Sequence, residues 1–208
     1  MSRSVAVDVH VVQTGVANLA SVEAALARAG ARALPTLDPA EVRDSARVLL
    51  PGVGAFGQAM AALRAHGLDQ ALRGRIAADR PTLAICLGLQ LLAEASEESP
   101  GVSGLGVVPG TVRRLPDGVR VPQLGWNTIE AMPECTWLRS GCVCFANSFA
   151  LREPPHGWRC AMATHGVRFV AGLERGAIVA CQFHPELSGR VGHELLCRFV
   201  AAGTRAPC

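Results

Sequence analysis

The sequence predicts an α/β fold, with a mostly parallel central sheet, helices on both faces and an antiparallel extension. Three observations predict it. Short apolar strands alternate with helical stretches through the first half. Two of those strands, 46–50 and 82–85, are apolar apart from Arg47 and Thr82, as strands covered on both faces are. Beyond Gly104 the pattern changes to short β-rich segments separated by turns. With 208 residues, half of them apolar and 18% charged, the chain can bury a core of its own and is too apolar for disorder. The expected organisation is a single domain over residues 1–208.

Each element has its own signal. Val5, Val7, Val9 and Val11 alternate in a first strand that runs into a turn at Gln13-Thr14-Gly15. Asn18 is placed to cap a helix with Leu19, Val22, Ala25, Leu26 and Ala29 on one stripe, closed by Gly30. A short strand at 31–35 precedes a helical turn opened by Asp38-Pro39. Strand 46–50 ends at Pro51-Gly52-Val53-Gly54, and helices are expected over 56–65 and 68–78 with Gly67 between them. Strand 82–85 leads into a helix over 87–95, and a polar loop covers 96–103. Seven β segments are then expected, around 105–108, 111–115, 124–130, 142–150, 159–164, 167–171 and 177–183. A final helix, capped by Ser188, turns Val191, Leu195, Phe199 and Val200 toward the core.

Composition excludes several function classes. All twenty basic residues are arginine, which removes Schiff-base chemistry and a phosphate-loop lysine; tyrosine is absent too. A net charge of +3 spread along the chain gives no nucleic-acid footprint. No apolar run approaches the roughly 18–20 residues of a membrane span, and Asp8 and His10 break the N-terminal apolar stretch, so a cytoplasmic location is expected. The eight cysteines read as reduced thiols, most of them small core residues. Cys142 and Cys144 share a strand face, but no second pair at zinc-site spacing exists, and neither metal nor cofactor is expected.

Three segments could carry chemistry. In Thr82–Gln90 an apolar strand ends at Cys86 and a helix begins at once, with Ala84 and Gly88 as the small neighbours that such a turn needs. A thiol there meets the positive end of the helix, which favours thiolate. The same segment reads as a buried cysteine closing a core strand. In Gln182-Phe183-His184-Pro185-Glu186, His184 leaves a strand at a crevice edge and Glu186 is spaced to fix its tautomer; a lone structural histidine fits as well. In Leu50–Phe56, glycines after a buried strand can present backbone N–H groups to an oxyanion jointly with the N–H of Leu87, or simply form a tight turn. Sequence alone does not bring these segments together.

In this order, Pro-Gly-Val-Gly-Ala-Phe at 51–56, Ile-Cys-Leu-Gly-x-Gln at 85–90 and Gln-Phe-His-Pro-Glu at 182–186 resemble the class I (triad) glutamine amidotransferases. Within them, the chain is similar to the glutaminase subunits of imidazole glycerol phosphate synthase. That narrower likeness rests on Gly15–Val22, Pro122–Asn127, Phe145–Phe149 and Ser188-Gly189. The resemblance implies a three-layer, flavodoxin-like fold and a glutaminase that hydrolyses glutamine to glutamate and ammonia. It implies Cys86, His184 and Glu186 as the triad, and Gly52, Val53 and Leu87 as oxyanion donors worth about 3 kcal/mol each. Gln90, Asn147, Ser148 and Phe149 would hold the substrate, and Gln123, Trp126 and Asn127 would form the ammonia-exit face. It also implies a separate (β/α)₈-barrel cyclase as partner, whose docking sets the 52–54 loop. The family's usual Asp-Tyr, His, His-Ser-Tyr and Lys are replaced here by Gln13-Thr14, Gln123, Asn147-Ser148-Phe149 and Leu187. Three rivals stand beside this reading: the glutaminase of another ammonia-channelling enzyme such as pyridoxal phosphate synthase, a silent binding module, and a cysteine hydrolase or stress protein acting alone.

Overall fold

The computed structural model describes residues 6–13 and 19–202. Its first half contains β1 (Val7–Val12), α1 (Leu19–Arg28), β2 (Ala31–Thr36), α2 (Pro39–Asp44), β3 (Val48–Leu50), α3 (Phe56–Ala65), α4 (Leu68–Ala77), β4 (Thr82–Ile85) and α5 (Leu87–Leu91). Then come β5 (Ala95–Ser96), β6 (Thr111–Arg114), β7 (Gln123–Ala131), β8 (Gly141–Asn147), β9 (Phe149–Ala150), β10 (Arg159–His165), β11 (Val167–Arg175) and β12 (Ile178–Cys181). A 3₁₀ turn (Pro185–Leu187) and α6 (Gly189–Ala201) complete the chain's elements among the described residues. The turn at 14–18 and the Asn18 cap lie outside the described residues.

Among the described residues, nine strands form one sheet in the order β2-β1-β3-β4-β12-β11-β10-β7-β8. Pairing is parallel from β2 through β12 and antiparallel from β12 to β8. The crossing point is β12, which comes from the antiparallel half yet lies beside β4. A tight turn at Gly176 (φ +55°) reverses β11 into β12. Asp79 ties this turn to the chain before β4 by accepting the Ala177 N–H. Ile178 then pairs with Thr82, and Cys181 with Ile85, so the segments leaving both strands emerge at the same end of the sheet.

Each face of the sheet has its own core. Phe56, Met60, Leu63, Leu68 and Leu72 of α3 and α4 pack with Leu50, Ile178 and Val170 on one side. On the other, Val22 and Leu26 of α1 and Leu195, Leu196 and Phe199 of α6 pack with Val9, Val11, Val179 and Phe145. The expected stripes of α1 and α6 are the ones turned to the core, with Leu19, Ala29 and Val191 only half-buried. Asp38 caps α2 through the Ala40 N–H, with Pro39 at its first position.

Several expected elements differ, among them the 142–150 segment, which is split into β8 and β9. The helix from Leu87 stops at Leu91 rather than 95, because the carbonyls of Leu91, Leu92, Ala93 and Glu94 accept N–H groups of residues 104–108. For the same reason 105–108 forms no strand: its donors close the helix end instead of a ladder. Strands 46–50 and 177–183 are also shorter than expected, at Val48–Leu50 and Ile178–Cys181.

Two buried charges fasten the frame. The Glu174 carboxylate accepts the backbone N–H groups of Thr136, Trp137 and Leu138, which fixes the link between β7 and β8. Arg75 of α4 is fully buried and donates to the carbonyls of Val42, Ser45, Ala46 and Pro81 and to Thr82 Oγ1. Burial, helped by the nearby Arg80, lowers its pKa to about 10. Arg75 thereby sets the entry of β3 and β4, the strands whose far ends carry the glycine loop and Cys86. Arg75→Met leaves these carbonyls unpaired and is expected to cost about 3 kcal/mol or more in urea unfolding. An unchanged unfolding midpoint would contradict this role.

Candidate active site

Cys86 is the single residue between β4 and α5, and it adopts φ +54° and ψ −108°. A non-glycine residue in that region is strained, and the surroundings must hold it there. They do so from two directions. The Cys86 N–H donates to the Cys181 carbonyl at 2.7 Å, tying the elbow to the end of β12. Beneath it, α5 packs so closely on β3 that a Cβ on Gly88 would run into the Leu50 carbonyl oxygen.

His184 reaches Cys86 because β12 lies beside β4. Its main chain is held by the edge strand β8: the His184 N–H donates to the Cys144 carbonyl at 2.9 Å. Ser188 Oγ donates to the His184 carbonyl at 2.6 Å and accepts the Cys144 N–H at 2.9 Å. Ser188 therefore anchors the catalytic turn and makes no side-chain cap on α6, contrary to expectation. The His184 ring is buried, with Nδ1 2.8 Å from Glu186 Oε1, which leaves Nε2 for Cys86. Burial opposes charge on the ring, but hydrogen bonds and charges from Cys86 and Glu186 outweigh it and raise its pKa to about 10. In the core, burial pushes Cys135 up to about 11 and Cys160 to about 12, and Cys181 well above the ordinary range.

In front of Cys86 lies a cleft of about 340 Å³ lined by Leu87, Gln90, Asn147, Ser148, Phe149 and His184. All four expected substrate-holding residues thus border it. Phe149 contributes its carbonyl, which accepts Gln90 Nε2 at 3.0 Å and Asn147 Nδ2 at 3.2 Å. Two lining or contacting residues were not anticipated. Glu98 borders the cleft and caps α3 by accepting the Phe56 N–H at 2.7 Å; it sits in the stretch expected to be a plain polar loop. Gln182, fully buried, lies with Nε2 3.5 Å from Cys86 Sγ. Its place in the Gln-Phe-His-Pro-Glu segment, two residues before His184, was the available signal.

The glycine loop borders the cleft through Val53 and Gly54 (φ +105°). The expected donor Leu87 N–H is engaged by the Gly52 carbonyl at 3.3 Å and so is not free for a ligand. That approach requires glycine, since a Cβ on Gly52 would come within 2.5 Å of Leu87 Cβ. A second cavity, of about 180 Å³, lies against the same loop, and Val53, Ala146 and His184 border both cavities.

The residues expected at the exit face divide. Along β7 alternate side chains point outward, so Leu124 (62% exposed) and Trp126 (61%) face solvent. Gln123, expected with them at the exit face, is turned inward by that alternation and is buried. Asn127 is half-buried and uses its side chain locally, on Thr164 and Thr128. Leu187 (49% exposed) borders the second cavity.

The folded chain holds the His184 proton more tightly than the unfolded chain, whose histidine titrates near 6.5. The stability this proton contributes is therefore full below pH 6.5 and is lost as the pH rises toward about 10. The unfolding free-energy difference between the wild type and His184→Gln is expected to shrink steadily across that window; a difference that grows with pH would contradict the assignment.

Comparison with known proteins agrees with this geometry. The family model described as glutamine amidotransferase class-I matches residues 5–202. The imidazole glycerol phosphate synthase subunit HisH of Methanothermobacter thermautotrophicus is 41% identical over 92% of this chain and 97% of its own length. The protein of the same name from Symbiobacterium thermophilum is 40% identical over 89% of this chain and 90% of its own. A solved glutamine amidotransferase superposes with a TM-score of 0.73 at 20% identity, covering 93% of this chain and 99% of that one. With its elbow cysteine, buried histidine and glycine loop meeting at one end of such a sheet, the chain belongs to the class I glutamine amidotransferase family.

Proposed function

We propose that residues 1–208 form one glutamine amidotransferase unit, the glutaminase subunit of an imidazole glycerol phosphate synthase in cytoplasmic histidine biosynthesis. The observation that carries this is the line Cys86–His184–Glu186 at the mouth of the cleft, with Nδ1 2.8 Å from Glu186. The HisH relatives support the choice of synthase.

The Cys86 thiol gives its proton to His184, and the sulfur attacks the side-chain amide carbon of glutamine. Collapse of the tetrahedral adduct breaks the C–N bond, and His184 passes its proton to the leaving nitrogen, which departs as ammonia. His184 then takes a proton from water as its oxygen attacks the thioester, releasing glutamate and returning the sulfur. Glu186 keeps the imidazole in the required tautomer throughout. Gln90, Asn147, Ser148 and Phe149 hold the substrate, and the Glu98 carboxylate offers a counter-charge for its ammonium group.

The developing oxyanion needs the Leu87 N–H, which Gly52 occupies. Turning the Gly52–Val53 peptide frees that donor and presents the Val53 N–H beside it, and Gly52 and Gly54 make the rotation inexpensive. The cyclase, a separate (β/α)₈ barrel, sets this rotation on docking and receives the ammonia. Trp126, Leu124 and Leu187 form the apolar face for docking, and ammonia leaves by the second cavity past His184 and Val53. No cofactor takes part.

Adding the cyclase to this chain is expected to raise glutaminase turnover roughly 100-fold or more, as recovery of an oxyanion donor would; turnover unaffected by the cyclase would refute the assignment. In the complex, Cys86→Ala and His184→Ala should abolish glutamine-driven synthesis yet leave synthesis from ammonium salts intact. Cys142→Ala should match the wild type. Leu187→Arg is expected to weaken the complex at least tenfold in titration calorimetry, and undiminished affinity would remove Leu187 from the interface.

A further inference from the structure

Gln182 lies directly after β12, is fully buried, and takes no part in the proton transfers between Cys86, His184 and the substrate. Its side-chain amide bridges two residues of the site, with Oε1 3.0 Å from Gln90 Nε2 and Nε2 3.5 Å from Cys86 Sγ. The direction of this bridge is set by a group that can only accept. The Phe149 carbonyl takes a hydrogen from Gln90 Nε2 at 3.0 Å, so Gln90 turns its nitrogen that way. The second hydrogen of the same nitrogen goes to Gln182, which must meet it with oxygen and so turns its own N–H toward sulfur.

Resting on the glutaminase reading, we infer that Gln182 is a catalytic residue, whose amide N–H donates to the Cys86 thiolate, with Gln90 as the positioning residue that aims it. The bond is charge-assisted when sulfur is anionic and weak when sulfur is esterified. It therefore steadies the thiolate beside His184 before attack and favours its departure when water opens the thioester. Gln182 transfers no proton; the thiol proton goes to His184. Because Gln90 also borders the cleft, the same amide pair links the glutamine site to the aim of the sulfur.

Alkylation by iodoacetamide, read by mass spectrometry on the Cys86 peptide of the full chain across pH, tests this without glutamine or cyclase. Its outcome is thus separate from that of the glutaminase assay. Gln182→Met is expected to move the half-maximal pH of alkylation up by about one unit or more, the worth of one hydrogen bond to a charged group. In the cyclase complex its turnover should fall at least tenfold, with a smaller change in KM. Gln182→Glu, the same shape with a like charge facing sulfur, should move the midpoint further in the same direction, and it carries the measurement if the Met variant does not fold. A folded variant of either kind whose alkylation profile superimposes on the wild type overturns the inference, whatever its turnover.

Discussion

The site depends on one strand pairing. β4 and β12 come from distant parts of the chain and opposite halves of the sheet, yet they lie parallel and in register from Thr82–Ile178 to Ile85–Cys181. Their common end then holds a thiol one residue past one strand and, three residues past the other, an imidazole. The hydrogen bond from the Cys86 N–H to the Cys181 carbonyl closes this pairing at its last position. Slipping the register by one residue would turn each later side chain to the opposite face and separate the pair. A rigid sheet is suited to that task, because misplacement by about 1 Å can cost two orders of magnitude in rate.

Around this fixed pair, the structure divides rigid support from movable parts. The catalytic turn is held by Cys144 and Ser188, and Arg75 and Glu174 brace the strands from within the core. The glycine loop, by contrast, is held at Gly52 by a long hydrogen bond from the Leu87 N–H, and Gly54 adopts a positive φ. On the proposed function, a barrier-lowering donor would then sit within one peptide rotation of its working position, and an adjustable oxyanion loop beside a fixed triad would let the subunit stay folded and nearly idle without misaligning its nucleophile.

The layer order was legible in the sequence because apolar strands and amphipathic helices alternate with caps and glycines at their ends: Asp38-Pro39, Gly67 and, Val191 apart, the α6 stripe read correctly. The helix after Cys86 was misjudged because its length is set by 104–108, a tertiary partner that no local pattern reveals. Cys86, His184 and Glu186 could be nominated from turn chemistry and family likeness, but their meeting depends on β12 crossing to β4, which periodicity does not encode. The burial of Gln123 was not legible because its side is decided by the register of β7, whose outward side carries the apolar Leu124 and Trp126. Glu98 escaped notice because a loop carboxylate carries no distinctive spacing, and Gln182, although within the His184 segment, because that segment does not show an amide turned toward Cys86.

The central claim is that the Cys86 sulfur, driven by His184, attacks glutamine. Acid quenching of the cyclase complex during glutamine turnover, combined with peptide mass spectrometry, tests this most directly. The account predicts a glutamyl adduct on the Cys86 peptide that forms and decays at rates matching turnover. Steady glutamate release with no adduct on Cys86, or with the adduct on another cysteine, would contradict it.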